Sequence, residues 1–581
     1  MMKGKNRQSL GMAVLASVLL GTMPAMAQAA PAAPAVPQPI REAQQAVHDL
    51  QQQAQKAAEG RTPLSGQQAE AEVQNTLPTP QAGDAQVHFT IRNFRLEAPE
   101  FYLDKKDLAT ILKKSMGHEL TLQDLHATVN ELTRYARTHG YPAAAAYVPA
   151  QESTDGMVLI RMMPGRYGEV KLENHSKLKD SVARGFLHGL KQGAIVRTSE
   201  LESTLFAISD TSGTRAVGVL SPGKDFGTSD VTVRIEDGKG TNTVLYVENH
   251  GAKSSGRYRM GLQHSIYDVQ GTGGKVNVGT TLSNKNMHNY YVNYSTLVGH
   301  GGTTAGIGLS RMDYDLGDTL GPLNASGIAM TYSLFGSKPL YHRTDKQMQL
   351  DFGYDYRNLH DDITAPQFSY ANRGRKHTQD VYAGLSGYWQ RNGFLTNYDF
   401  KVTTGKLTMD SEASRAADQH DKTAGNYTKF TLDTSHVQTT GHRSDVLLKL
   451  SGQWATHNLD GSEELSLGGA NGVRAYPQGE GSGDIGWLTT AEWRFYTDVR
   501  GLVPSVFYDI GHTKFSKDGQ TVAGRSGVTL RGYGLGLAYS DPGNWFARLD
   551  YARRIGNSNN PVLSRDAMSN GRFWFLMGKI W

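Results

Sequence analysis

A single arginine, Arg474, lies in the glycine-rich stretch GVRAYPQGEGSGDIG, which covers residues 472–486. A charge in a confined site is costly unless it is paired, so an arginine that enters such a site needs a carboxylate partner. The segment SVFYDIGHTKF offers one, because Phe507, Asp509 and Gly511 share one face of a predicted strand. We therefore predict an ion pair between Arg474 and Asp509, while the spacing alone leaves a solvated loop arginine open as the alternative.

Other kinds of reactive site are not indicated. The sequence contains neither an HExxH zinc motif nor a GxSxG nucleophile elbow, and it has no Cys, which excludes disulfides and cysteine-ligated metals. The 19 His residues show no partner spacing, and a net charge of +5 over 581 residues gives no reason to expect nucleic acid. We assign no catalytic residue, no metal site and no cofactor, and we predict that the chain is not an enzyme.

The N-terminal region has the features of an exported protein. Basic residues precede an apolar run at Leu10–Leu20 and a cleavage site of small residues, so residues 1–27 are predicted to be a signal peptide. An Ala/Pro linker follows at 28–39. Residues 40–59 are predicted to form a helix with a thin, alanine-rich apolar stripe, and residues 60–86 form a second linker.

Two compact modules follow, at residues 87–166 and 167–240. Each is predicted to contain a strand, two helices and two further strands, so the architecture is duplicated. No apolar run beyond the first 30 residues approaches the ~20 residues of a spanning helix, which excludes a helical membrane protein.

From residue 241 to the end, helical periodicity gives way to sixteen short alternating segments. In DVLLKLSGQW, for example, apolar Leu448 and Trp454 share one face, whereas polar Lys449 and Gln453 share the other. One face suits lipid and the other suits a polar lumen, which is typical of a transmembrane barrel strand. Residues 241–581 are therefore predicted to form a sixteen-stranded transmembrane β-barrel.

The connections between these segments favour the same interpretation. They alternate between tight turns such as DPGN and long polar stretches such as residues 358–378, as in outer-membrane barrels with short periplasmic turns and long surface loops. The last residue, Trp581, ends a closing strand with an aromatic side chain, as barrel insertion signals do. On this strand count residues 472–486 belong to the sixth surface loop, and Glu492 and Arg494 on the next strand are candidate lumen charges.

At these residues the sequence resembles the TpsB transporters of two-partner secretion, the FhaC/ShlB/HecB type within the BamA-like superfamily. The resemblance rests on VRAYPxGExSGDxG followed by FxDxG, and it extends over almost all of the mature chain. It implies that a loop motif pairs with a barrel-wall motif, and the two consist of Val473, Arg474, Ala475 and Tyr476, and of Phe507, Asp509 and Gly511. One departure is Ala475, where many members have Gly.

The resemblance also implies a fold and a function. The fold is α+β plus a transmembrane barrel: a plug helix at 40–59, two POTRA domains at 87–166 and 167–240, and the barrel in the bacterial outer membrane with the POTRA domains in the periplasm. The implied function is export of a cognate TpsA-type exoprotein, of the haemolysin or adhesin kind. The implied partners are that exoprotein, outer-membrane lipid and the barrel-assembly machinery, with no nucleic acid.

Three alternatives stay open at this point. A BamA-like insertase shares the loop motif and the FxDxG strand, but this chain has only two POTRA-sized modules and carries the N-terminal helix. A passive porin explains the barrel but neither module, and an outer-membrane enzyme lacks its motifs. The sequence leaves the identity of the client and the oligomeric state undetermined.

Overall fold

The computed structural model describes residues 70–73, 88–152, 156–365, 370–556 and 560–581. The predicted signal peptide, the Ala/Pro linker and the predicted plug helix at 40–59 lie outside the described residues. Within the described ranges, no helix combines the length and the apolar character needed to cross a membrane.

A short strand, β1 (Glu70–Val73), precedes the first module in the chain. That module consists of β2 (His88–Thr90), β3 (Asn93–Glu97), α1 (Lys105–Lys113), β4 (Glu119–Thr121), α2 (Leu122–Thr138), β5 (Ala145–Tyr147) and β6 (Met157–Met163). Its strands form a sheet of order β3-β6-β5 and a separate β2-β4 pair. Helix α2 begins with a capping box, in which the Thr121 hydroxyl accepts a bond from the Asp124 N–H at 3.2 Å and the Asp124 carboxylate accepts one from the Thr121 N–H at 2.8 Å.

The second module repeats this arrangement. It consists of β7 (Arg166–His175), α3 (Asp180–Leu187), α4 (Thr198–Ser212), β8 (Arg215–Pro222) and β9 (Thr228–Glu236). Its sheet has the order β1-β8-β9-β7, because β1 pairs in parallel with β8. Part of the predicted linker at 60–86 is therefore a strand of this sheet. Its four residues carry no recognisable pattern, because their partner strand lies in a module much further along the chain.

Sixteen strands close into a single barrel, which confirms the predicted fold class. Each strand pairs antiparallel with its neighbour, and β10 pairs with β25 from Val244 opposite Ile580 to Glu248 opposite Leu576. The strands are β10 (Thr241–Glu248), β11 (Arg259–Val269), β12 (Gly274–Ser283), β13 (Met287–Leu297), β14 (Thr304–Asp315), β15 (Ser326–Arg343), β16 (Lys346–Ala365), β17 (Tyr370–Arg391), β18 (Phe394–Met409), β19 (Gly425–Gly441), β20 (Ser444–Ala455), β21 (Ile485–Phe495), β22 (Leu502–Lys514), β23 (Gly527–Ser540), β24 (Trp545–Arg554) and β25 (Gly571–Ile580).

The two faces of the barrel wall differ as the alternation predicts. Leu448 and Trp454 are exposed on the outer face of β20, whereas Leu447 and Gln453 are buried on the inner face. An outer face of large apolar side chains is compatible with lipid, because apolar side chains meet no free-energy cost in contact with hydrocarbon. Lys579 is the exception on the closing strand, and its Nζ lies 4.9 Å from the centre of the Trp545 ring.

The longest strands exceed their predicted lengths. The stretch 358–378 was predicted to be a long surface loop, but most of it extends β16 and β17 as a paired ribbon. On β16 the apolar residues Leu359, Ile363 and Ala365 are buried on one face, but Asp361 interrupts them, which weakens the alternation that marks a strand. Another predicted loop contains a helix, α5 (Glu412–Asp421), which begins at a capping box on Ser411.

Candidate functional site

Residues 456–484 connect β20 to β21 and fold back on themselves. The backbones of Leu465 and Gly483 exchange two hydrogen bonds of 2.9 and 3.0 Å, and the N–H of Gly468 donates to the carbonyl of Glu480 at 2.8 Å. Gly469 has φ +123°, a conformation that side chains other than glycine rarely adopt. The result is a compact loop whose tip carries Arg474.

Arg474 is 4% exposed and makes most of its contacts to a single carboxylate. Its Nε and Nη2 each donate to Asp509 at 2.9 Å, one to each oxygen, and its own backbone N–H donates to Oδ2 at 3.2 Å. Asp509 lies on β22, has no exposed surface, and also accepts from Thr490 Oγ1 at 2.9 Å. This two-pronged geometry between guanidinium and carboxylate is the strongest type of charged hydrogen bond, and it fixes the direction of the loop as well as its position.

Two further carboxylates surround the same guanidinium. Arg474 Nη1 donates to Glu492 Oε2 on β21 at 3.0 Å and to Asp550 Oδ1 on β24 at 3.4 Å. Arg548 of β24 contacts both of these carboxylates, with 2.9 Å to Glu492 and 2.7 Å to Asp550. Two arginines thus bind three carboxylates, and three strands of the barrel wall share one loop residue.

Uncharged groups complete the seat of Arg474. The Phe507 ring lies beneath the guanidinium, with 3.2 Å from Cζ to the ring centre. The Trp574 Nε1 on β25 donates to the Arg474 carbonyl at 2.7 Å. At Gly511 a side chain would collide with the loop, since an added Cβ would lie 2.8 Å from Leu467 Cδ2. The absence of a side chain at this position lets the loop approach the wall.

The neighbours of Arg474 in the loop motif are also buried. Val473, Ala475 and Tyr476 belong to one apolar cluster with Phe507. Ala475 packs on Gly532 of β23, where an added Cβ would lie 2.6 Å from the Cβ of Ala475. The alanine at this position therefore fits because the wall residue that faces it is a glycine.

The structure does not place Arg494 in this group. Its Nε and Nη2 donate to Asp445 on β20 at 2.6 and 3.0 Å, and this pair lies towards the end of β21 away from the loop. Glu492 and Arg494 share the inner face as predicted from their spacing, but only Glu492 reaches Arg474. Because two residues along a strand span about 7 Å, the shared face alone could not decide which of them does.

Asp484 is the last residue of the loop and binds its end to neighbouring backbone groups. Its carboxylate accepts bonds from the N–H of Leu459 at 3.0 Å and of Lys517 at 2.7 Å. Burial nevertheless raises the pKa of Asp484 to about 6, outweighing those two bonds. Since the pKa in the folded loop exceeds the unfolded value, the contribution of this group to stability is lost as the pH rises through about 6.

A second contact of functional interest joins α4 of the second module to the end of β15. The hydroxyl of Ser203 donates to the His342 carbonyl at 2.9 Å, and the His342 ring stacks on Phe206 with 4.0 Å between ring centres. His342 Nδ1 lies 2.6 Å from Asp210 Oδ2, and Nε2 lies 3.2 Å from the Tyr388 hydroxyl. These contacts, which we call the module dock, hold the second module on one rim of the barrel.

Sequence reasoning did not assign several residues that the structure brings to these sites, among them Asp550, Arg548, Trp574 and His342. Asp550 and Arg548 lie on the polar face of their strand, so the alternation pattern could have nominated them as lumen charges. Trp574 and His342 carry no such signal. Their contacts depend on which strands and modules become neighbours, and this is decided by the closure of the barrel.

The fold and the anchored loop together define a sixteen-stranded β-barrel protein with two α/β modules and a buried loop motif. The family model "Haemolysin secretion/activation protein ShlB/FhaC/HecB" matches residues 227–539, more than half of the chain. The model "POTRA domain, ShlB-type" matches residues 89–165. The chain belongs to the ShlB/FhaC/HecB family.

Individual relatives agree with this assignment. The heme/hemopexin transporter protein HuxB of Haemophilus influenzae is 29% identical over 483 residues, which cover 81% of this chain and 84% of the relative. The structure of CdiB from Escherichia coli has a TM-score of 0.64 at 18% identity, covering 93% of this chain and 99% of CdiB. BamA from Haemophilus ducreyi, lacking its POTRA domains 1–3, gives a TM-score of 0.50 at 13% identity over 85% of this chain and 100% of that structure.

This family membership establishes the general function. The chain is an outer-membrane transporter of a two-partner secretion system, with its POTRA domains in the periplasm, and it works with a cognate secreted exoprotein. The matching family model and the HuxB relative are those of secretion and transporter proteins, which favours transport over the insertase alternative.

Proposed function

We propose that this transporter exports one large exoprotein of the haemolysin or adhesin kind, and that loop 456–484 controls its passage. The observation that carries the role of the loop is the buried seat of Arg474, whose side chain and backbone both donate to Asp509. A loop held this firmly inside the lumen obstructs a passing polypeptide unless it moves.

The periplasmic modules are proposed to receive the client as an added strand, since sheet edges can pair with an extended polypeptide. The edge of β8 is already paired with β1. In the described ranges β1, β3, β5 and β7 each pair with one strand of their sheet and form its edges. We therefore place the first contact with the client on these edges.

We propose that the transporter is not an enzyme, since the export proposed for it needs no chemical step. A barrel of sixteen strands encloses an aqueous channel wide enough for an extended chain. Folding of the client outside the cell removes it from the equilibrium and gives direction to the export. The heme/hemopexin transporter protein among the relatives makes an exoprotein that binds heme or hemopexin the first client to test.

Two further partners are proposed from the outer surface of the barrel. Exposed apolar side chains such as Leu535, Phe573 and Met577 face outward along β23 and β25, which fits contact with outer-membrane lipid. The aromatic end of the closing strand, Trp581, fits insertion by the barrel-assembly machinery.

The deciding experiment removes this chain from its host and measures the secreted product of the neighbouring exoprotein gene. Loss of that one product, with other outer-membrane proteins at normal levels, is the expected result. A broad fall in barrel proteins would instead favour the insertase alternative and overturn client-specific export. Restoring the wild-type chain is the control for indirect effects.

A further inference from the structure

A second buried ionic group lies at the start of loop 456–484. Glu463 ends a short 3-10 turn, Gly461–Glu463, and its carboxylate forms ion pairs with Arg357 and with Lys429, whose Nζ lies 2.5 Å from Oε2. Arg357 has no exposed surface and also donates to Asp380 Oδ2 at 2.9 Å. The four residues are at most 8% exposed, so this is an ionic network within the barrel and not a surface feature.

Asp460 adds another pair just before the turn. Its Oδ2 accepts from Lys376 Nζ at 2.6 Å, while Oδ1 accepts from the N–H and the hydroxyl of Ser462 at 3.2 and 2.7 Å. On the same turn, Gln453 Nε2 donates to the carbonyl of Glu463 at 2.9 Å. One oxygen of Asp460 therefore shapes the turn, and the other ties the turn to β17.

The two ionic groups hold the loop to different parts of the wall. Arg357, Lys376 and Lys429 lie on β16, β17 and β19, whereas the carboxylates around Arg474 lie on β21, β22 and β24. The two groups occupy separate arcs in the ring of sixteen strands, β16–β19 and β21–β24, with β20 between them. The loop is therefore held between two fixed ends on different parts of the wall.

Ordinary stabilisation does not account for this second group. A buried ion pair is often no more stabilising than apolar residues of the same volume, because desolvation offsets the attraction. Its charges nevertheless tolerate few alternative positions, since a displaced charge in a confined site stays unpaired. Such a network suits a segment that must return to one position.

We propose that Asp460 and Glu463 form a second anchor, which positions the first half of loop 456–484 on β16, β17 and β19. Arg474 positions the second half on β21, β22 and β24. With two attachment points, release of one leaves the loop tethered near its seat, and the loop leaves the lumen only when both are broken. This inference deepens the proposed control of export by the loop and rests on it.

The test follows the loop directly, in whole cells that express the full chain. Because the sequence has no Cys, a Ser482→Cys substitution in the loop gives a single site whose reaction with a membrane-impermeant maleimide reports release. We compare Glu463→Gln, Arg474→Ala and the double variant, with Glu412→Gln in another surface loop as the matched control. Each single variant should raise the labelling rate, and the double variant should raise it by about the product of the two factors.

A labelling rate in the double variant equal to that of Arg474→Ala alone would overturn the second anchor. Loss of Glu463 alone could prevent insertion by leaving Arg357 and Lys429 facing each other without it. In that case the paired variant Arg357→Gln with Glu463→Gln removes opposite charges together, and its labelling rate serves the same comparison. Secretion is measured in parallel: a released loop with unchanged export would support the anchor but contradict the proposed control by the loop.

Discussion

The loop seat, which consists of Arg474, Asp509, Glu492, Asp550 and Arg548, and the module dock hold a segment against the barrel in two different ways. At the seat, Arg474 and three carboxylates are each at most 4% exposed and are joined by several charged hydrogen bonds. At the dock, His342 is buried, but its partner Asp210 keeps 26% of its side-chain surface exposed. Water can replace the partners at the dock far more readily than at the seat.

This difference has an energetic consequence. Breaking a buried ion pair by removing one partner costs about 3–5 kcal/mol, whereas a single hydrogen bond contributes about 0.5–1.5 kcal/mol. The loop is therefore fixed until something competes with its network, whereas the second module rests in a position that thermal motion can open. For a transporter this places the firm obstruction in the lumen and the adaptable surface where the client first arrives.

The largest expected effect is that of Arg474→Ala, which leaves Asp509 without its main cation. We expect the free energy that holds the loop to fall by about 3–5 kcal/mol and secretion of the exoprotein to drop, while the heat-modifiable mobility of the barrel on a gel stays normal. Arg474→Lys should be intermediate, because a lysine is a point charge that cannot form the two-pronged pair.

The control for this prediction is Arg525→Ala, which removes an exposed arginine from a different surface loop. Normal secretion from both Arg474→Ala and Asp509→Ala would show that the seat has no part in export. A loss of the folded barrel in both would show that the seat acts in assembly.

A smaller effect is expected from Arg548→Ala, within the same seat. The Arg548 side chain is 35% exposed, so its contacts to Glu492 and Asp550 are weakened by solvent. We expect a loss of about 1.5–3 kcal/mol, the range for hydrogen bonds to charged groups, and a partial fall in secretion. An effect as large as that of Arg474→Ala would mean that the seat acts as one unit without a dominant residue.

Comparison of the sequence with the structure shows which part of this arrangement local patterns determine. Asp509 could be predicted as the partner of Arg474, because an acidic residue on an inward face needs a cation and the glycine beside it leaves room for one. The strand count and the inward and outward faces followed from alternation in the same way. These features depend on neighbours in the chain.

Other parts of the arrangement depend on neighbours in space. Asp550 is 76 residues from Arg474 in sequence, and Glu463 is more distant still from Arg357. Their contacts arise only when sixteen strands close in one register, and no local pattern encodes that register. The pairing of β1 with β8 is a further example, since four residues without a distinctive composition complete a sheet in another module.

At the module dock we expect His342→Ala to act more weakly than any change at the seat. The substitution removes the contact to Asp210 and the stacking on Phe206, and the expected loss is about 1 kcal/mol. Hydrogen exchange should quicken in α4 and stay unchanged in loop 456–484. The matched control is His436→Ala on β19. The His436 ring is half-buried in the barrel wall, where it contacts Thr396 and Phe394 and no module residue in the described ranges.

Faster hydrogen exchange in loop 456–484 after His342→Ala would show that the module dock and the loop seat are coupled, which would contradict their independence. Unchanged exchange in α4 would show that the remaining contacts of the helix hold the module without the histidine.

The smallest effect is expected for Arg343→Gln, also at the dock. Arg343 Nε lies 3.8 Å from Glu202 Oε2 and 3.2 Å from Asp345, and its side chain is 33% exposed. Ion pairs of this kind contribute about 0–1 kcal/mol, because solvent and salt screen them. Hydrogen exchange in α4 should therefore change less in Arg343→Gln than in His342→Ala. The difference in exchange between Arg343→Gln and the wild type should vanish when the salt concentration is raised. A larger effect than that of His342→Ala would mean that long-range charge holds the module on the rim, and the packing of His342 on Phe206 would then be secondary.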